Sequence, residues 1–355
     1  MAKVTARWAA IPVLLTAILL VAAHAEADSE PLTVMTYNVY LGGDTGAVLS
    51  APREEVPLRV AALYREFGAS AAPERLAAIA GSIAERRPHL VALQEMTLIR
   101  RQTPGDMLTG QAGPNAEAVV LDFQSVLMAA MEAADMDYEI AASVQNTDVE
   151  MPMPAEGGSF DDVRMTTFDV ILVRGDVAVS RIEAANYEAM LTSPLGISVR
   201  RGYVALDARV SGRTWRFVNT HLEAFSSEVR QAQARELLAA LEGETLPLIL
   251  SGDFNSDAGA PQGDPSREVY DLLTSQGYED AWQDGAGAGA TCCQASDLRN
   301  AESGLSVPID HMFVRNVDGS SVIAAGTVGD LPSERLASGL WPSDHAGIIV
   351  SLSNP

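Results

Sequence analysis

The ten residues Leu248 to Asp257, LILSGDFNSD, constrain this chain more than any other stretch. Leu248 to Leu250 have the character of the end of a buried strand. Ser251 and Gly252 break the run, and Asp253 and Asn255 follow two positions apart with Phe254 between them. Side chains on a strand alternate between its faces, so Asp253 and Asn255 are expected to point one way and Phe254 back into protein. A carboxylate and a carboxamide at a strand's C-terminal mouth suit metal, water or phosphate chemistry. The rest of the chain must bring matching groups to that mouth.

The N-terminus has a different task. Lys3 and Arg7 flank an apolar run, Ala9 to Ala23, and Ala23-His24-Ala25 has the small-x-small form of a cleavage site. The run falls short of the ~20 apolar residues of a spanning helix. Residues 1–25 are therefore expected to be a secretory signal peptide, with 26–355 a single domain in the periplasm or outside the cell. The whole chain carries a formal charge of −23 and would lose two positive charges with that leader; Lys3 is its only lysine. Such a surface repels polyanions. Duplex nucleic acid is held by several Lys or Arg contacts to phosphate, and no basic stripe is present. Cys292 and Cys293 are adjacent, so they cannot staple distant segments. A loop with two thiols or a vicinal bridge is expected, and no CxxC spacing points to metal.

Periodicity places the elements. Strands are expected over Leu32 to Tyr37, Leu90 to Leu93, Tyr138 to Ser143, Phe168 to Val173, Ser198 to Val210, Thr214 to Thr220, Val307 to Val314, Ser321 to Thr327 and Ala346 to Leu352. Ser211-Gly212 reads as the turn of a hairpin. Helices are expected over Val56 to Phe67, Pro73 to Arg87, Ala116 to Asp135, Ser227 to Leu241 and Glu268 to Gln276. Arg100 to Asn115, Gln145 to Asp162 and Asp284 to Ala290 read as loops, rich in Gly and Pro. Strands outnumber helices and hairpins mix with helical crossovers, which suggests two mixed sheets with outer helices.

Polar residues gather at the strand ends. Beyond the leader there are four histidines. His221, His311 and His345 each lie beside an Asn or Asp at a strand boundary, whereas His89 has no such setting. A chance surface histidine explains any one of these, but explains the set poorly. For a phosphate ester each group has a job. Glu95 suits a hard divalent cation, and Asp344 could ligate metal or orient a histidine. Asn38 could bond a metal ligand or a phosphate. Asp253 could hold or deprotonate the attacking water, and Asn255 could donate to a phosphoryl oxygen. His345 could act as general base or acid, its ring fixed by Asp310. His221 could neutralise charge developing on the phosphate.

The segments TYN (Thr36 to Asn38), LQE (Leu93 to Glu95), NTHLE (Asn219 to Glu223), GDFN (Gly252 to Asn255), ID (Ile309-Asp310) and SDH (Ser343 to His345) resemble, in order, the motifs of the endonuclease/exonuclease/phosphatase superfamily. They span nearly the whole mature chain. The resemblance implies a four-layer α/β/β/α sandwich with two mixed sheets and a phosphoester hydrolase using Mg²⁺ or Mn²⁺. It implies metal on Glu95, helped by Asn38 and Asp344, and His345 paired with Asp310. It further implies Asp253 and Asn255 at the water and phosphate, and His221 on the phosphate.

The motifs leave the substrate open. Acidity favours a small phosphoester or a lipid headgroup, with Arg100, Arg101, Arg164, Arg200 and Arg201 as candidate phosphate clamps. Met151, Met153 and Met165 could touch a lipid or simply pack. An extracellular nuclease is chemically equivalent and electrostatically less suited. A non-catalytic binding protein that kept the fold is the third reading.

Overall fold

The computed structural model describes residues 30–110, 113–282, 289–317 and 321–353, together with Met1 and Ala2. All but the first two residues of the expected signal peptide lie outside the described residues, as does most of the expected loop Asp284 to Ala290. In chain order the strands are β1 (Leu32–Asn38), β2 (Leu90–Gln102), β3 (Ala118–Asp122), β4 (Tyr138–Pro154), β5 (Phe160–Arg174), β6 (Ala178–Asn186), β7 (Leu191–Thr192), β8 (Ser198–Val199), β9 (Gly202–Val210), β10 (Arg213–His221), β11 (Leu248–Asp253), β12 (Glu279–Asp280), β13 (Asp310–Arg315), β14 (Val322–Val328) and β15 (Gly347–Leu352). The helices are α1 (Gly46–Leu49), α2 (Val56–Ala69), α3 (Ala72–Arg86), α4 (Phe123–Ala133), α5 (Ser227–Ala240) and α6 (Glu268–Ser275).

One sheet runs β14-β15-β1-β2-β5-β4, with β3 beside β2; the other runs β12-β13-β11-β10-β9-β6. Each contains one parallel pair, β1 with β2 and β10 with β11. Both parallel pairs are joined by helical crossovers, as parallel strands require. Alternation along the strands builds the layers. Val34, Ile171, Leu206, Phe217, Ile249 and Ile348 fill the space between the sheets. Met35, Tyr37, Val91 and Leu93 face outward onto Leu76, Ile79 and Ile83 of α3 and Leu127 of α4. Val218, Leu248 and Leu250 face outward onto Leu237 of α5 and Val269 and Leu273 of α6. The result is the expected α/β/β/α sandwich. Phe254 is fully buried in the last of these layers, as alternation required.

The sequence misplaced some loops. Gln145 to Asp162 is mostly strand: β4 and β5 extend into a long hairpin turning at Ala155 to Ser159. Pro152 and Pro154 suggested a loop, but β4 is an edge strand, where a missing N–H costs no ladder bond. Likewise β2 runs on to Gln102, and the helix expected from Ala116 begins only at Phe123, after β3. Its stop signal was local: the Asp122 carboxylate accepts from the Gln124 and Ser125 N–H groups and caps α4. Strand β6 was not foreseen. Ser211 and Gly212 both have positive φ, 48° and 87°, matching the turn that a twisted hairpin favours. Cys292 and Cys293 form a vicinal disulfide.

Candidate active site

The site forms where the inward-facing rows of the central strands change from apolar to polar. On β1 the row reads Val34, Thr36, Asn38; on β10, Phe217, Asn219, His221; on β11, Ile249, Ser251, Asp253. The register sets His221 opposite Asp253, and Asp253 opposite Asp310 at the start of β13. Close approach of β10 requires Gly252: a Cβ there would sit 1.9 Å from the Thr220 carbonyl oxygen.

Asp253 is the hub. It is buried, and its Oδ2 accepts from Asn38 Nδ2 at 3.0 Å while its Oδ1 accepts from the Asn255 backbone N–H at 2.9 Å. His221 Nε2 lies 3.4 Å and His345 Nε2 3.8 Å from Oδ2. Burial, reinforced by the facing Asp310 charge, pushes the Asp253 carboxyl up. Asp310 Oδ2 accepts from His345 Nδ1 at 2.7 Å. Burial opposes a cation at His345, but Asp310 and Asp344 outweigh it and hold its pKa well above the ordinary value. His221 is the opposite case. Burial first, then the neighbouring Arg201, drives its pKa well down. Arg201 Nη1 lies 3.0 Å from His221 Nδ1. A guanidinium only donates, so Nδ1 accepts and the Nε2–H faces Asp253. His221 is thus a neutral donor, and Arg201 supplies the positive charge expected of the histidine.

Asn255 is half-buried. Its Nδ2 donates to the Leu222 carbonyl at 3.0 Å, which fixes the amide and leaves a second hydrogen for a ligand. Asn38 was expected to help a metal. Its Nδ2 donates to Asp253, and its Oδ1 accepts from the Tyr40 N–H at 3.0 Å with one lone pair left over.

Glu95 sits on a bulge of β2, where the register with β5 shifts between Leu93 and Met96, and its φ is +63°. Bulges re-aim side chains in this way next to active sites. Its Oε2 accepts from the Leu41 N–H at 2.6 Å. Asp344 is half-buried nearby; burial first, and Glu95 among its charged neighbours, pushes its carboxyl up. Two half-buried, hard-oxygen carboxylates that feel each other's charge suit a divalent cation of the Mg²⁺ or Mn²⁺ kind.

Several residues that hold this geometry were not read from the sequence. Asp169 on β5 is buried, accepts from Asn146 Nδ2 at 2.7 Å, and is pushed up to about 7 by burial; it faces the β2 bulge that carries Glu95. Fully buried Arg75 on α3 donates to the carbonyls of Ser70, Val39, Tyr40 and Pro342, tying the loop after Asn38 to the loop before Ser343. Its signal was an arginine beside Leu76 on the apolar face of α3. Asn219 Nδ2 donates to the carbonyls of Leu93 and Val170, and its Oδ1 accepts from Gln94 Nε2 at 2.7 Å, pinning one sheet to the other under the site. His311 is not at the mouth: its ring lies between Asp280 Oδ2 and the Ser256 carbonyl.

Of the candidate clamps, Arg201 alone contacts this constellation. Arg100 and Arg164 pair with Asp148, and Arg101 with Asp161, within the β4–β5 hairpin and its neighbour β2. Arg200 is exposed on the loop between β8 and β9.

A sandwich of this layering, with carboxylates and imidazoles at the mouths of its central strands, defines a class of phosphoester hydrolases. The chain belongs to the Endonuclease/Exonuclease/phosphatase family, whose model matches residues 35–345. Members of that family hydrolyse phosphoester bonds with metal ions. No curated protein matches the chain. Among solved structures it is similar to an endonuclease/exonuclease/phosphatase from Beutenbergia cavernae (20% identity, TM-score 0.57, 91% of this chain and 72% of that one). It is also similar to one from Bacteroides vulgatus (14%, TM-score 0.53, 92% and 99%). A third is a mannosyl-6-phosphatase from Bacteroides thetaiotaomicron (17%, TM-score 0.50, 90% and 99%). At these identities the likeness is one of fold.

Proposed function

We propose that this chain is a secreted, Mg²⁺- or Mn²⁺-dependent hydrolase of a small or lipid-derived phosphoester. The observation that carries the reading is the convergence of Asp253, His221 and the His345–Asp310 pair on one point beside Glu95 and Asp344. A cation held by Glu95 and Asp344 would polarise a phosphoryl oxygen. Asp253, raised by burial and aimed by Asn38 and the Asn255 N–H, takes the proton of the attacking water. The free N–H of Asn255 bonds a phosphoryl oxygen, and the Nε2–H of His221 turns from Asp253 to another when substrate enters, with the Arg201 charge behind the imidazole. His345, kept cationic by Asp310, stabilises the developing charge.

The formal charge of −23 supports a small substrate over a polyanion. The apolar run after Lys3 and Arg7 supports export of the chain. The test is hydrolysis, with Mg²⁺ and with chelator, of bis-p-nitrophenyl phosphate, p-nitrophenyl phosphate, sphingomyelin, inositol phosphates and plasmid DNA. Metal-dependent turnover of a small or lipid ester, lost in Asp253→Ala and His345→Ala, is expected. Full activity in both variants would remove the assigned site, and preference for plasmid DNA with steep salt dependence would make the chain a nuclease.

A further inference from the structure

A cleft runs away from the site between α1–α2 and the β4–β5 hairpin. It holds about 90 Å³ of free space, and its surface is mostly apolar. Val60, Leu63 and Phe67 form one wall; Val149, Met151 and Met165 form the other. Two further lining residues mark its inner end. Leu41 donates its N–H to Glu95, and Arg201 donates to His221. The inner end of the cleft is therefore one hydrogen bond from Glu95 and from His221, through residues that line it. Its lining offers one charge, Arg201, and the hydroxyls of Thr45, Thr147 and Thr167. A sugar or a nucleobase placed there would lose most of its hydrogen bonds to water without replacement. Pockets that bind ligands are lined in this manner, largely apolar with a few polar groups at one end.

We propose that this cleft binds the apolar substituent of the phosphoester, an alkyl or aryl group esterified to phosphorus, with Arg201 at the junction of phosphate and apolar arm. This inference rests on the reading of the site as a phosphoester hydrolase and names the part of the substrate that the motif residues do not recognise. Recognition divides between charge at the strand mouths and shape along the hairpin. The methionines of the hairpin then act as an adaptable wall rather than as packing alone.

The experiment is calorimetric titration of Mg²⁺-loaded protein with methyl-, butyl-, octyl- and phenylphosphonate and with mannose 6-phosphate, beside the hydrolysis panel. Binding is expected to tighten by at least about tenfold from methyl to butyl, since each buried methylene contributes. A further gain with octyl indicates a lipid-like chain, and a phenyl compound binding tightest indicates an aryl ester. Val149→Trp, which fills the cleft, is expected to bring butylphosphonate to the affinity of methylphosphonate and to leave methylphosphonate unchanged. Phe225→Ser, at an exposed lining position, is expected to weaken butyl and octyl binding in a fold that the substitution spares. Equal affinities across the series, or mannose 6-phosphate binding as tightly as butylphosphonate, would overturn the cleft assignment while metal-dependent hydrolysis kept the functional reading. Chain-length-dependent binding without hydrolysis of any phosphoester would overturn the functional reading and keep the cleft.

Discussion

Arg201 Nη1 lies 3.0 Å from His221 Nδ1, so a permanent cation holds a catalytic imidazole in its neutral form with Nε2–H toward Asp253. The contact joins the charged mouth of the site to the apolar cleft. Replacing Arg201 by Met frees Nδ1 and removes a repulsive charge, so the His221 pKa rises toward its ordinary value. Turnover is expected to fall about 10²- to 10³-fold, as for loss of one preorganised donor. Histidine ¹⁵N chemical shifts followed against pH report ring protonation, and a His221 titration unchanged in Arg201→Met would refute the assignment.

Arg75 carries stability through four backbone carbonyls on three segments. Burial pulls its pKa down to about 10, which measures the cost of placing the charge there. Arg75→Met leaves the Ser70, Val39, Tyr40 and Pro342 carbonyls without this donor and is expected to destabilise the fold by about 3–5 kcal/mol, since each buried acceptor left unpaired costs about 1–3 kcal/mol. Denaturant unfolding checks it. A loss within 1 kcal/mol of zero, by the usual scale for surface changes, would mean that water replaces the guanidinium easily.

His311 makes stability pH-dependent. Burial disfavours its charge, but Asp280, paired at 2.9 Å, outweighs burial and raises its pKa, and both ring nitrogens have acceptors. A raised folded-state pKa contributes stability that is fully present below the unfolded value, near about 6.5, and is lost as pH rises through the folded value. His311→Gln should therefore cost more in mildly acidic buffer than in alkaline buffer. Urea midpoints of both proteins across that range test the sign, and a cost that grows with pH would contradict it.

Metal binding should register without turnover. An ion that binds the folded state alone raises stability by about 2.7 kcal/mol at a concentration of 100 times its Kd. Mg²⁺ is expected to raise the melting temperature of the wild-type chain and not that of Glu95→Gln, and chelator is expected to abolish hydrolysis. An equal shift in Glu95→Gln would move the ion elsewhere.

The parts of this molecule visible in the sequence are those governed by neighbours in the chain. Leu76, Ile79, Ala80 and Ile83 announce α3 by spacing, and Ser211-Gly212 announces its hairpin by backbone preference. The loop assigned to Gln145 to Asp162 failed because proline content is ambiguous until a strand's place in the sheet is known. Asp169 gave no warning: one aspartate in an apolar run looks like any other until β2 bulges opposite it.

The sequence by itself determined most of the central strands and helices, though not β3 or β6, and the polar ends Asn38, Glu95, His221, Asp253 and His345, because alternation and motif spacing are local. Only the tertiary structure decided what those ends do. It turned His221 into a neutral donor by bringing Arg201 to it, bonded Asn38 to Asp253, spent Arg100, Arg101 and Arg164 on ion pairs, and opened an apolar cleft whose lining includes Leu41 and Arg201. Charge and hydrogen-bond partners act over a few ångströms of space, and chain distance does not reveal which residues come that close.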